Sequence, residues 1–172
     1  LLKQPVVQPM MAVLELLSQP NSRHAVHSFL RSPIVGASSI EIEEIMGASD
    51  VENFWLHAAQ YFVSAPQGPL LAALAQLVQH GAIYEVFDAV LDHSDLLIAY
   101  PDESERQVAE MWCALVQKIG TDSGHEPATI LEQMKAFATL GNKGPQASTT
   151  PTSGAIQIMT IHGAKGLQAP VV

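Results

Sequence analysis

The chain is 172 residues long, 48% hydrophobic and 15% charged, which is enough for one domain with a real core, too little for a multi-domain enzyme and too apolar for a disordered chain. No apolar run approaches the roughly 20 residues that span a bilayer. A single cysteine, Cys113, excludes an internal disulfide framework and any multi-cysteine zinc site, and fits a reducing, cytoplasmic setting.

Apolar residues at Val6, Val7, Met10, Met11, Val13, Leu14 and Leu17 predict a helix from Pro5 to Ser18, broken at Gln19-Pro20-Asn21. Asn21 or Ser22 can cap the next helix, which carries Val26, Phe29 and Leu30 on one face and ends at Pro33 and Gly36. Ser38-Ser39-Ile40-Glu41 has the spacing of a capping box and starts a helix to Gly47. Ser49-Asp50-Val51-Glu52 repeats that spacing before Phe54, Trp55, Ala58, Tyr61 and Phe62. After a loop at Pro66-Gln67-Gly68-Pro69, helices are expected over 70–80 and from Ile83 to about Asp92. A short apolar element follows from Asp95 to Tyr100. Asp102 to Ile119 reads as the strongest helix, with an acidic first turn and Gly120 as its stop. Pro127 to Leu140 completes the helices. Gly141 to Gly154 has linker composition, and 155–161 alternates like a strand.

The charge is uneven. The net charge is −9, and no lysine or arginine stands between Arg31 and Arg106, whereas Glu41 through Glu105 supply a long run of carboxylates. Such a surface repels phosphate backbones. It reads as a solvated face or as a surface for a basic protein partner. His24 and His27 are three apart and can share a metal only with a third ligand, which the neighbouring sequence lacks, so they read as ordinary surface or core histidines. Asp88, Asp92, His93 and Asp95 read as a charged helix end. The aromatic set at 54–62 lacks the basic residues of a base-stacking platform and reads as core, as does Trp112. Cys113 reads as a small core residue on an apolar helix face.

The chemistry concentrates at the end. A strand runs into a turn with Gly163 and Gly166, where a hydroxyl (Thr160), an imidazole (His162) and an ammonium (Lys165) gather. Ligands bind at the carboxyl ends of strands in open α/β sheets. Glycines let the backbone approach a phosphate, and the three side chains supply donors. A second apolar run follows.

Met159-Thr160-Ile161-His162-Gly163-Ala164-Lys165-Gly166-Leu167, then Gln168-Ala169-Pro170-Val171-Val172, resembles motif V of the superfamily 1 DNA helicases of the UvrD, RecB and AddA type: a strand, Thr-x-His-x-x-Lys-Gly-Leu-Glu, and an apolar strand. Five of that motif's six fixed residues stand here. Phe29-Leu30-Arg31-Ser32-Pro33-Ile34-Val35-Gly36 is similar to the Leu-x-Ser-Pro-Leu-x-Gly stretch that opens the helical insertion of AddA and RecB proteins. The spacing around His162 and the Ala-Pro after position 168 favour the AddA type.

The resemblance implies a division of the chain. Residues 1–32 would be the edge of the RecA-like motor domain 2A, 33–150 the helical insertion subdomain 2B, and 155–172 the returning strand and motif V. It implies that Thr160, His162 and Lys165 contact single-stranded DNA, and that Gly166 and Gln168 lie toward the nucleotide. The family has glutamate at position 168; glutamine can still hydrogen-bond a ribose hydroxyl, but as a neutral group. The implied parent is an ATP- and Mg2+-dependent 3′-to-5′ DNA helicase. Its AddA-type relatives add exonuclease activity and serve double-strand-break repair and recombination with an AddB-type nuclease partner, on single-stranded and duplex DNA and away from membranes. The abrupt apolar termini predict a piece of a longer protein. This piece carries no Gly-x-x-x-x-Gly-Lys-Ser/Thr loop and no Mg-binding Asp-Glu pair after a strand; the motif VI arginine and the nuclease domain are expected past Val172. The 172 residues alone are therefore expected to be non-catalytic, because phosphoryl transfer needs those parts in one site.

Two rival classes remain: a free-standing helical protein-interaction module, and, last, a small metal-dependent hydrolase. The expected fold is mainly α. An irregular helical bundle packs around Leu14, Leu17, Phe29, Leu30, Phe54, Leu74, Leu77, Phe87, Leu91, Trp112, Leu115 and Phe137, with a C-terminal β-strand and loop belonging to the α/β motor domain.

Overall fold

A computed structural model describes residues 4–48, 53–80 and 83–139. Among these, every regular element is an α-helix: α1 (Val7–Ser18), α2 (Arg23–Arg31), α3 (Ser39–Gly47), α4 (Phe54–Tyr61), α5 (Gly68–His80), α6 (Ile83–His93), α7 (Leu96–Ala99), α8 (Glu103–Ser123) and α9 (Pro127–Thr139). The strand expected over 155–161 and the linker before it lie outside the described residues, as does the proposed capping box at 49–52.

α1 is apolar almost all round, and such helices belong in an interior. Val7, Pro9, Met10, Ala12, Val13, Leu14, Leu16 and Leu17 are all buried. The other helices follow from this. α1 packs on α2 and α9 and touches α6 and α8, while α2–α3–α4–α5–α6–α8–α9 run as a chain of neighbours that closes back on α1. One continuous apolar core extends from Val6 to Met134. Two edge-to-face aromatic pairs pin it, Phe29 on Trp55 with ring centres 5.5 Å apart and Phe87 on Trp112 at 4.8 Å. Such pairs add about 0.5–1.5 kcal/mol beyond the area they bury.

The helix starts follow local chemistry. Ser22 Oγ accepts the Ala25 N–H at the head of α2. Ser38 and Glu41 form the expected capping box: Ser38 Oγ accepts the Glu41 N–H at 3.3 Å, and Glu41 Oε2 accepts the Ser38 N–H at 2.7 Å. The Ser38 hydroxyl, and after it the Ser38 backbone N–H, hold the Glu41 carboxyl below its ordinary value of 4.5. The start of α4 differs from expectation. Its cap is Asn53, whose Oδ1 accepts the Leu56 N–H at 3.0 Å.

The end of α8 also differs. The helix runs through Gly120 to Ser123 and stops at Gly124, whose φ of 78° is the left-handed cap that glycine adopts freely. Gly120 is glycine for another reason. A Cβ there would overlap the Tyr84 hydroxyl of α6 and lie 3.2 Å from Ile130 Cδ1 of α9. The Tyr84 hydroxyl meets His125 Nδ1 at 2.7 Å and donates to the Gln117 carbonyl at 3.3 Å. Gly120 is thus where side chains of α6 and α9 press onto the backbone of α8.

Of the expected core, Leu14, Leu17, Phe29, Leu30, Leu74, Phe87 and Trp112 are buried, and Phe54, Leu77, Leu91 and Leu115 are partly buried against them. Phe137 is not part of it and stands 46% exposed. The buried stripe of α9 is Ile130, Leu131 and Met134, and residues 135–137 after it are all exposed.

Candidate functional site

The motif residues Thr160, His162, Lys165, Gly166 and Gln168 lie outside the described residues. The other residues that sequence reasoning singled out are placed. Trp55 and Phe62 are fully buried, Phe54 lies under the Arg23 guanidinium at 4.8 Å, and Tyr61 donates its hydroxyl to Glu44 at 2.5 Å. That bond holds the Tyr61 phenol above its usual range. Trp55, Phe62 and Phe54 thus pack in or against the core as expected, whereas Tyr61 does not belong to it and stands 40% exposed. Asp88, Asp92, His93 and Asp95 are all exposed. Cys113 is half-buried against the core, and burial, with Asp88 and Glu110 adding, pushes its thiol up to about 12. A thiol so shifted is a poor nucleophile.

His24 and His27 do meet something, though not a metal set. Among the described residues no group of three or more His, Cys, Asp or Glu is placed to hold a metal ion. The two imidazoles line an open groove of about 640 Å³ between α1, α2 and α9. α1 supplies the floor with Pro9, Met11 and Ala12, and one wall with Gln8 and Glu15. α2 supplies His24, His27, Ser28 and Arg31, followed by Ser32 and Pro33. Tyr100, after α7, and Lys135 of α9 complete the lining. Lys135 Nζ pairs with Glu15 Oε1 at 2.9 Å across the groove.

Local sequence explains the wall. Residues 24, 27 and 31 fall at spacings of three and four and so share one face of α2, while Ala25, Val26, Phe29 and Leu30 on the other face are buried. Ser32 turns the chain: its Oγ donates to the Phe29 carbonyl at 2.6 Å and its carbonyl accepts the Gly36 N–H at 2.8 Å. Sequence reasoning read the two histidines as ordinary surface or core residues and did not anticipate the groove. Arg31 was within reach, four residues after His27. Tyr100 and Lys135 arrive through tertiary packing and leave no local signal. Among the described residues no helix is long and apolar enough to cross a membrane.

Comparison with known proteins gives one relationship. The chain is 25% identical over 196 aligned positions, 96% of this chain and 21% of the relative, to an ATP-dependent helicase/nuclease subunit from Latilactobacillus sakei subsp. sakei (strain 23K). The relationship is distant, and the chain spans about a fifth of that relative's length. No family model matches the sequence, and no solved structure matches it.

Proposed function

We propose that this chain is the insertion region and motif V of the motor subunit of an ATP-dependent DNA helicase/nuclease. One observation carries the reading. The similarity to a helicase/nuclease subunit covers 96% of the chain, and the same chain ends in a string that resembles motif V of such motors, from Met159 to Leu167. The all-helical character of the described residues suits an insertion subdomain, with residues 1–32 as the edge of the motor, 33–150 as the insertion and 155–172 as the return to the motor.

In this reading Thr160, His162 and Lys165 give hydroxyl, imidazole and ammonium donors to the single-stranded DNA backbone, which is bound through its phosphates whatever its sequence. Gly166 lets the backbone approach the nucleotide, and Gln168 presents a neutral amide to the ribose. ATP and Mg2+ belong to the parent. The sequence carries no phosphate loop, so in this reading the parts of the parent outside this chain would hold them. The acidic stretch from Glu41 to Glu105 faces a partner nuclease subunit or another subdomain rather than duplex DNA. The setting is cytoplasmic, and the process is 3′-to-5′ unwinding with end resection in double-strand-break repair.

The test uses the intact parent protein. Thr160→Ala with His162→Ala is expected to lower DNA-stimulated ATP hydrolysis by on the order of tenfold or more, since phosphoryl transfer depends on positioning, and to leave the basal rate in place. Undiminished stimulation by DNA in the double variant overturns the reading.

A further inference from the structure

The groove between α1, α2 and α9 gathers positive charge within a described surface that is mostly acidic. The described residues include five lysines and arginines and fifteen aspartates and glutamates. Two of the five cations, Arg31 and Lys135, line the groove beside two histidines, whereas only one of the fifteen carboxylates, Glu15, does so. Lys135 already engages Glu15. Among the described residues Arg31 has no ion-pair or hydrogen-bond partner. Its guanidinium and the two imidazoles stand along one helix face with no carboxylate on that face to answer them.

We propose that this groove docks an extended acidic and apolar segment of a protein partner. Charge complementarity selects the acidic part, since five guanidinium donors in a fixed fork match a carboxylate. The floor of Pro9, Met11 and Ala12, with Tyr100 beside it, selects the apolar part. The surroundings select a short anion over a long one. Glu105 accepts the Val6 N–H at the start of α1, and the exposed Glu132 stands three residues before Lys135 on α9. A duplex carries a charge about every 1.7 Å along its axis and would extend past the groove over a described surface with three times as many carboxylates as lysines and arginines. A peptide with alternating side chains places its acids on the cations and ends. This inference stands apart from the motor assignment, because it uses none of the motif V residues.

The test is fluorescence anisotropy with the full 172-residue chain and a fluorescein-labelled octapeptide of alternating glutamate and leucine. Saturable binding that weakens with salt is expected. Arg31→Ala weakens it about tenfold, and Lys118→Ala, outside the groove, leaves it unchanged. Glu15→Gln tightens it a few-fold by freeing Lys135, an effect that loss of folding does not mimic. The inference is overturned by absence of saturation, by equal binding of a lysine–leucine octapeptide, by insensitivity to Arg31→Ala, or by a short DNA duplex that displaces the peptide at similar concentration. Circular dichroism of each variant verifies that the helices are intact.

Discussion

α1 and α8 lie in the same bundle and use their residues in opposite ways. α1 buries eight of its twelve residues; Val6 gives it no side-chain cap and its first turn holds no acidic residue, so it leans on tertiary packing to stay helical. α8 is nearly twice as long, opens on Glu103 and Glu105, and buries a single stripe of Val108, Ala109, Trp112, Val116 and Ile119. The first is a helix because of what surrounds it. The second carries its own instructions and lends the core only one face. Composition alone therefore misjudges which helix matters: the less helical sequence is the one on which the others assemble.

The largest expected contrast is chemical. With its thiol pushed from 9.0 to about 12, Cys113 should form on the order of a thousandfold less thiolate near pH 8 than an exposed cysteine; alkylation rates in the folded and urea-unfolded protein should differ accordingly. Next come the core truncations. Trp112→Ala in α8 is expected to destabilise by about 3–5 kcal/mol and Leu14→Ala in α1 by about 2–5 kcal/mol, read from urea transitions. If α1 is the assembly helix, Leu14→Ala should also broaden the loss of structure to α2 and α9, measured by hydrogen exchange. Gly120→Ala sharpens the view of α8. Helix propensity favours alanine by about 1 kcal/mol, but its Cβ displaces the Tyr84 hydroxyl, so a net loss of about 1 kcal/mol is expected. Repeating the change in a Tyr84→Phe background should reduce that loss. The smallest effect is at the surface of α1. Lys135→Ala removes a half-exposed ion pair and should change stability by less than about 1 kcal/mol. Acidification acts on α3: because the Glu41 carboxyl is lowered in the fold, its contribution is complete above pH 4.5 and fades as pH falls below it. Glu41→Gln should flatten that part of the stability profile.

Where sequence and structure agree, the signals were local. The serine and glutamate three apart at 38 and 41 need only each other, and the apolar spacing of α1, α2 and α8 needs only its own helix. Where they part, a residue answers to something distant. Gly120 looked like a stop because glycine usually ends helices; its actual constraint is Tyr84, 36 positions earlier in the chain. Asn53 caps α4 through Leu56, a position that the spacing of serine and glutamate does not single out. Phe137 has the right periodicity for the core and lies beyond its edge. The groove shows both cases at once. Its α2 wall was readable in the spacing of 24, 27 and 31, while the contribution of Lys135 depends on α9 returning to α1. The motif at 159–167 was legible as a string, and its residues fall outside those described.

The contact at Gly120 has a mechanical side. Within α8 only that position lacks a side chain, and the Tyr84 hydroxyl occupies the space. In any other register along α8 the phenol would meet a Cβ in place of the glycine notch, so the contact favours this register of α6 on α8. A displacement of α6 along α8 would therefore have to swing the Tyr84 ring out of that notch and break its contact with His125.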